Sequence, residues 1–173
     1  QIAQQWKDAK PSDLPELKFP LEPGITEPRV TTGVADINKP KLRMAWPGTR
    51  LAEEHDYALD RLAHVLGDGE SSRLVRTVRD DARAVNSIDA YNFSTSWGEG
   101  YFGVDATIEV DQRLIDTAAA VRAQVAAANR ADDEEEMAKA KALWDQVSTE
   151  RDEAIATAVD RARDLISAEI QRV

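Results

Sequence analysis

Hydrophobic and polar residues alternate in two stretches of the chain, and a period of two is typical of a β-strand with one buried face. In Lys41–Trp46 every second residue is apolar, namely Leu42, Met44 and Trp46. Between Tyr101 and Val110 the apolar positions are Phe102, Val104, Ala106, Ile108 and Val110. Each predicted strand therefore has one apolar and one polar face, as in an antiparallel sheet that is covered on one side.

Two further strands are predicted with less regular patterns. Val85–Phe93 forms the first, and the loop Ser94–Gly100 connects it to the strand that begins at Tyr101. Arg29–Ala35 is the second, because valine and threonine favour strands, and Asp36–Pro40 is the turn that follows it. The sequence thus predicts a sheet of four strands.

Apolar residues at steps of three and four predict helices between and after the strands. The first runs from about Ala52 to Leu66 and is ended by Gly67 and Gly69. A short basic helix, Arg73–Arg79, comes next, and Ser71 or Ser72 is expected to be its N-cap.

The chain from Asp111 to its end contains no glycine or proline, and two helical segments are predicted there. The first covers Asp111 to about Ala128. Asp133 and Glu136 have the spacing of an N-cap and its third helical residue, so a new helix is expected to begin there. The apolar stripe continues to the end of the chain as one long helix or as two with a break near Ser148, and a coiled coil is the alternative.

This order of elements predicts an α+β fold, with an antiparallel sheet and helices packed on one face. Residues 1–28 contain five prolines within eighteen positions, which predicts an extended lead-in or linker. Residues 29–173 are expected to form the α+β domain, in which 132–173 are a helical arm.

Composition narrows the class of protein. The 173 residues are 42% hydrophobic and 31% charged, and no apolar run approaches the ~20 residues of a membrane span. A formal net charge of −10 disfavours nucleic acid as a partner. We expect a soluble protein whose compartment stays open, a bacterial periplasmic or secreted parent being one option. Because the chain begins at Gln1 and not at methionine, a fragment or a processed product is expected.

Candidate catalytic groups are few. The absence of cysteine excludes thiolate nucleophiles and thiolate zinc sites. His55 and His64 lie nine residues apart, which is not the spacing of two zinc ligands on one helix. Gly67 and Gly69 lack the third glycine of a dinucleotide-binding loop and the lysine of a P-loop. The residues alone therefore predict no catalytic residue and no metal site.

One stretch resembles a known family. The residues that carry the likeness are Gly67–Leu74, Val78 with Arg79, and Ser87–Tyr91. They resemble the C-terminal-type, non-zinc domain of the insulinase/pitrilysin zinc metallopeptidases, which include the mitochondrial processing peptidases. The likeness extends more weakly over residues 29–147 and implies the metallohydrolase-like α+β domain of that family.

The resemblance implies a division of labour between two homologous domains around a substrate chamber. One domain binds zinc through a His-x-x-Glu-His motif, which this chain lacks, so no cofactor is expected here and zinc is implied for the other domain. The non-zinc domain of many members contributes an arginine and, seven residues later, a tyrosine to substrate binding. Arg79 falls on the arginine, whereas Asn86 falls on the tyrosine.

The sequence therefore predicts a non-catalytic domain that completes the chamber and contacts an extended peptide through Arg79, Asn86 and a strand edge. Its expected partners are a zinc-bearing homologous domain, in the same or another chain, and the peptide substrate. The alternative is a structural or assembly domain without substrate contact, which the asparagine at position 86 favours.

Overall fold

The computed structural model describes residue 7 and residues 24–33, 39–131 and 133–173. The chain divides into two compact units, Gln1–Val30 and Thr31–Val173. Every helix and strand of the described residues lies in the second unit. The predicted lead-in falls mostly outside the described residues, so the boundary at residue 28 stays a prediction.

Within the part of the chain that the structure describes, three antiparallel strands form one sheet: β1 (Lys41–Pro47), β2 (Val85–Phe93) and β3 (Tyr101–Ile108). Their order in space is β1-β3-β2, with β3 in the centre. The register places Arg43 opposite Asp105 on one side of β3 and Asp89 opposite Asp105 on the other. All three strands were predicted from the sequence, and the antiparallel arrangement is confirmed.

The predicted strand Arg29–Ala35 is wrong over its described part. Residues 29–33 form no strand and are exposed, and Val30 is 78% accessible to solvent. Residues 34–38, which hold the end of this strand and most of the predicted turn, lie outside the described residues. A run of β-favouring residues makes a strand only where a partner supplies the ladder, and none of the described strands pairs with it.

The described residues also form four helices: α1 (Asp56–Gly67), α2 (Val75–Asp81, a π-helical segment), α3 (Gln112–Ala131) and α4 (Glu134–Ile170). The core lies between one face of the sheet and α1, α2 and the second half of α4. It is built from apolar side chains of these elements, among them Leu66, Val78, Val104, Ile108, Ala162 and Ile166. The predicted α+β class with helices on one face of the sheet is confirmed.

Helix α1 begins later than predicted and ends against the sheet. Ala52 has a φ of +63°, which no right-handed helix contains, and its N–H donates to the Asp56 carboxylate over 3.0 Å. At the other end, a Cβ on Gly67 would lie 2.1 Å from the backbone nitrogen of Ala90. Only glycine therefore lets the end of α1 approach β2 so closely.

The short basic helix is present but is wider than an α-helix. It starts at Arg73 and continues as the π-helical α2, where the N–H of Ala82 donates to the carbonyl of Thr77, five residues earlier. The expected serine N-cap does not form. The Ser72 hydroxyl is buried and has no hydrogen-bond partner among the described residues.

The C-terminal half forms two helices and not three. Asp133 is the N-cap of α4, and its carboxylate accepts from the N–H of Glu136 over 3.0 Å, as its spacing predicted. Helix α4 then runs through Ser148 without a break. No helix in the described part of the chain combines the length and the apolar character needed to cross a bilayer.

Candidate functional site

Arg79 lies near the end of α2 and is held by two acidic side chains. Its Nε donates to Asp80 over 2.8 Å, and its Nη2 donates to Glu70 in a short ion pair. Nη1 also reaches Glu70 over 3.4 Å. The Arg79 side chain is 27% exposed, so it remains within reach of a ligand.

These ion pairs change the titration of all three groups. Hydrogen bonds from Arg79 hold the pKa of the Glu70 and Asp80 carboxyls below their usual values. The two carboxylates in turn raise the pKa of Arg79 above its ordinary value. The cluster therefore stays fully ionised at neutral pH.

Asn86 lies near the start of β2, where the register between β2 and β3 is irregular between Val85 and Ser87. Its amide donates to the carbonyl of Ile108 over 3.2 Å, and its side-chain oxygen accepts from Lys39 over 2.8 Å. Both the nitrogen and the oxygen of the Asn86 side-chain amide are thus used in contacts within the domain. Within the described part of the chain it shares no hydrogen-bond partner with Arg79, so the two predicted site residues form no common cluster.

Helix α4 anchors α2 and the turn that precedes it. Arg73 donates to Glu169, which is only 4% exposed, through Nε over 2.8 Å and pairs with it through Nη2 over 2.7 Å. At the other end of the segment, Arg161 donates to the carbonyl of Ala82 over 2.9 Å. The position of Arg79 therefore depends on contacts with a helix that follows it by more than 50 residues in the sequence.

Strand β1 is an edge strand. The hydrogen bonds at the two ends of its ladder show which of its alternate residues bond to β3. Ile108 N–H donates to Pro40, and Gly48 N–H donates to Gly100, so even-numbered residues of β1 bond to β3. The odd-numbered residues direct their backbone groups away from the sheet. The outward N–H groups are those of Lys41, Arg43 and Ala45. No backbone partner for them occurs among the described residues.

The sheet face opposite the core is here called the open face. Its side chains are Lys41, Arg43, Ala45 and Pro47 in β1, Ser87, Asp89, Tyr91 and Phe93 in β2, and Tyr101, Asp105 and Thr107 in β3. A shallow depression of about 640 Å³ lies on it, beside the charged residues. No described helix covers this face.

Charged and aromatic groups on the open face are paired with each other. Arg43 donates to both oxygens of Asp105, over 2.7 Å and 2.6 Å, which holds the pKa of that carboxyl below its usual range. The Tyr91 ring covers Gly103 and lies edge-on to Tyr101 at 5.9 Å. Burial, with a smaller contribution from a hydrogen bond with Tyr101, raises the pKa of Tyr91 to about 12.

Sequence reasoning identified β1 as a strand but not as the edge with outward donors. One local signal was available, because Pro47 has no N–H and occupies an outward position of the ladder. Proline is tolerated there, whereas at an inward position it would remove a ladder hydrogen bond. Which residues of β1 direct their N–H groups outward depends on the pairing with β3, and the sequence of β1 alone does not show it.

The described residues do not fit a zinc ion. They contain no group of three or more His, Cys, Asp or Glu side chains that could hold a metal. His55 is exposed at the start of α1, and His64 contacts Asp68 over 2.5 Å at the exposed end of the same helix.

Comparison with known proteins gives the family. A family model described as the peptidase M16 inactive domain matches residues 2–143. Two solved structures are similar: a protease from Helicobacter pylori, with 17% identity and a TM-score of 0.42, and a peptidase M16 inactive domain from Pseudomonas fluorescens, with 15% identity and a TM-score of 0.37.

The alignments cover 80% and 76% of this chain but only 33% and 37% of those two chains, respectively. A search of the curated proteins finds no match. The match of the family model spans most of the chain and agrees with the insulinase-like resemblance of residues 67–91. The chain therefore belongs to the peptidase M16 family, as one of its inactive domains.

Proposed function

We propose that this domain completes the substrate chamber of an M16 peptidase and binds an extended peptide along the outer edge of β1. One observation carries the proposal: Lys41, Arg43 and Ala45 direct their N–H groups outward, and no described residue accepts from them. An extended peptide that joins such an edge gains main-chain hydrogen bonds and becomes a further strand of the sheet.

Arg79 supplies a second contact in this proposal. The family resemblance gives its position a role in holding the substrate backbone, and its guanidinium has five N–H donors. Glu70 and Asp80 fix the guanidinium without using the second N–H of Nη1, which can donate to a peptide carbonyl. Asn86 stands where the family has tyrosine and offers an amide in place of the phenol.

The zinc chemistry belongs to another domain in this proposal. No group of residues in the described part of the chain could hold a metal, and the family resemblance implies zinc ligands on a homologous domain in the same or a partner chain. That domain supplies the activated water and this one supplies binding and position. This chain alone is not expected to cleave peptides.

A second candidate function is a structural or assembly domain without substrate contact. Two observations favour it. The Arg79 guanidinium is already paired with Glu70 and Asp80, and both ends of the Asn86 amide are used by Lys39 and Ile108. In that case the family's two substrate-binding positions have become part of the local structure.

Ala45→Pro tests the edge proposal. The substitution removes an outward N–H and leaves the β1–β3 ladder intact, because proline is tolerated where the N–H faces solvent. The probes are three fluorescent eight-residue peptides of alternating threonine and valine, whose two central threonines are replaced by glutamate, glutamine or lysine. We expect Ala45→Pro to weaken binding of every peptide that the unmodified chain binds, by roughly tenfold or more, since main-chain hydrogen bonds carry the affinity.

Ala45→Val is the matched control, because it keeps the N–H and adds more bulk than proline does on the same face. Hydrogen exchange gives an independent readout: bound peptide should protect the amides of Arg43 and Ala45, whereas those of Leu42 and Met44 are protected already. Unchanged affinity in Ala45→Pro, or no peptide binding by the unmodified chain, would refute the edge proposal and favour the assembly role.

A further inference from the structure

We infer that the β1 edge selects peptides in which acidic residues alternate with apolar ones. The inference rests on the proposed function, and it names the chemistry of the peptide that this edge would bind. A strand added beside β1 directs its side chains alternately to the open face and to the core side. The two faces of β1 offer these side chains different partners.

On the open face, the outermost charges at this edge are positive. Lys41 and Arg43 are two residues apart in β1, so both side chains lie on the open face, and both are exposed. Directly opposite positions on neighbouring strands bring Cβ atoms to ~5 Å, where opposite charges stabilise the pair and like charges destabilise it. An acidic residue opposite Lys41 or Arg43 is therefore favoured, and a basic residue there is disfavoured.

The Arg43 guanidinium is held in an orientation in which it can donate to a second carboxylate. Asp105 accepts from its Nε and Nη2, which orients the planar guanidinium. Its Nη1 has no acceptor among the described residues, and the side chain is 65% exposed. Asp89, Asp105 and Arg43 lie side by side on β2, β3 and β1. An acidic residue on the added strand would therefore place Arg43 between two carboxylates.

Lys41 forms no ion pair in the described part of the chain, and the acidic group that its charge reaches, Asp105, is already paired with Arg43. Its ammonium donates to the Thr107 hydroxyl over 2.6 Å, which is a neutral acceptor. An ammonium has three N–H donors, so two remain for a ligand. On a chain with a formal net charge of −10, this edge is a local site of positive charge.

The core side of β1 has a different character. Leu42, Met44 and Trp46 are half-buried and pack against the core. Because β1 is an edge strand, apolar side chains of an added strand can extend this surface and remove part of it from water. The peptide that fits both faces therefore alternates acidic residues on the open-face side with apolar residues on the core side.

The same three peptides test this selectivity. The glutamate peptide is expected to bind roughly two- to tenfold more tightly than the glutamine peptide, because an opposite-charge cross-strand pair is modest at an exposed site. The lysine peptide should bind weakest. Raising the salt concentration from 0.05 to about 0.5 M should shrink the differences, since exposed charges are screened.

The decisive variant is Arg43→Gln combined with Asp105→Asn, which removes the cation without leaving an unpaired carboxylate and keeps the net charge constant. Adding Lys41→Gln should abolish the preference for glutamate, while the glutamine peptide binds as before. Arg61→Gln, an exposed substitution on α1, controls for the loss of one positive charge. Equal affinities for all three peptides, or a preference that survives the triple substitution, would overturn the inference.

These outcomes are separate from failure of the proposed function. If Ala45→Pro abolishes binding while the three peptides bind equally well, edge pairing stands and the acidic preference is wrong. If no peptide binds the unmodified chain, both proposals fail together.

Discussion

Arg79 is paired with two acidic side chains, and this setting is compatible with a structural role and with the proposed binding role. Its two acidic neighbours satisfy most of its donors and hold the guanidinium in place. A rigid arginine loses little conformational freedom when it binds a carbonyl, so pre-organisation favours a binding role. The same contacts suffice for a purely structural role. The kinetics of an Arg79 variant with substrate distinguish the binding role from the structural role.

Arg79→Ala is expected to lower kcat/KM of the assembled peptidase by roughly ten- to a hundredfold, the usual effect of losing a hydrogen bond from a charged donor. The melting temperature should change little, because the ion pairs that are lost involve exposed carboxylates, Glu70 at 85% and Asp80 at 48% exposure. Steady-state kinetics and thermal melting measure the two effects. Arg76→Ala, an exposed arginine on the same helix, is the control.

Unchanged kinetics with a slightly lower melting temperature in Arg79→Ala would point to the assembly role. The companion variant Asn86→Tyr restores the residue that the family resemblance leads one to expect. In the binding role it should preserve or improve the Michaelis constant. It also removes the contacts with Lys39 and Ile108, so its melting temperature must be recorded alongside.

At the scale of elements, the α2 segment depends on α4 for its position. The Arg73–Glu169 pair lies at one end of the segment and the Arg161–Ala82 hydrogen bond at the other. Glu169 is buried and also accepts from Arg172 over 3.0 Å, so its charge is compensated by two arginines. Removing a partner from a buried carboxylate leaves part of its desolvation uncompensated.

Arg73→Met should therefore destabilise the domain by roughly 1–3 kcal/mol. Methionine keeps an unbranched apolar stem while it removes the guanidinium and its charge. Arg163→Met, on an exposed face of α4 where Arg163 pairs with Asp160 and Asp164, should stay within about 0.5 kcal/mol. Urea unfolding followed by circular dichroism measures both, and equal effects would mean that the Glu169 pair contributes nothing special.

At the scale of the whole molecule, the shifted carboxyl pKa values set the response to acid. Asp56, Glu70, Asp80 and Asp105 all have folded-state pKa values below their usual ones, mainly because backbone or arginine N–H groups donate to them. The stability they contribute is present above the unfolded-state pKa of ~4 and is lost as pH falls through the folded values. Asp89 is the exception, since burial and the neighbouring Asp68 and Asp105 charges raise its pKa.

The free energy of unfolding should therefore fall as pH decreases below about 4. Asp89 acts in the opposite sense. Its contribution to the free energy of unfolding is favourable below its unfolded-state pKa and is lost as pH rises through its folded-state pKa. Asp89→Asn should accordingly stabilise the domain at pH 7 and have little effect at pH 3. Urea unfolding at several pH values is the measurement. Asp81→Asn, at an exposed position, is the control for the removal of one negative charge.

Local sequence patterns were sufficient to predict the features that depend on residues close together in the chain. Alternation identified β1 and β3, the Asp133–Glu136 spacing identified the start of α4, and the residues around Arg79 indicated the family. Periodicity and capping act over a few residues, so they can be read from a single segment. The valine and threonine content of Arg29–Ala35 was misleading, because a strand also needs a partner.

Only the tertiary structure decided which strand is central, which edge has outward donors and which acids hold Arg79. The order β1-β3-β2, the parity of the outward N–H groups and the pairing of Arg73 with Glu169 join residues that are far apart in the sequence. Such contacts depend on the path of the whole chain. The sequence by itself therefore determined most of the elements and indicated the family, whereas the packing of the elements determined which backbone groups of β1 face outward.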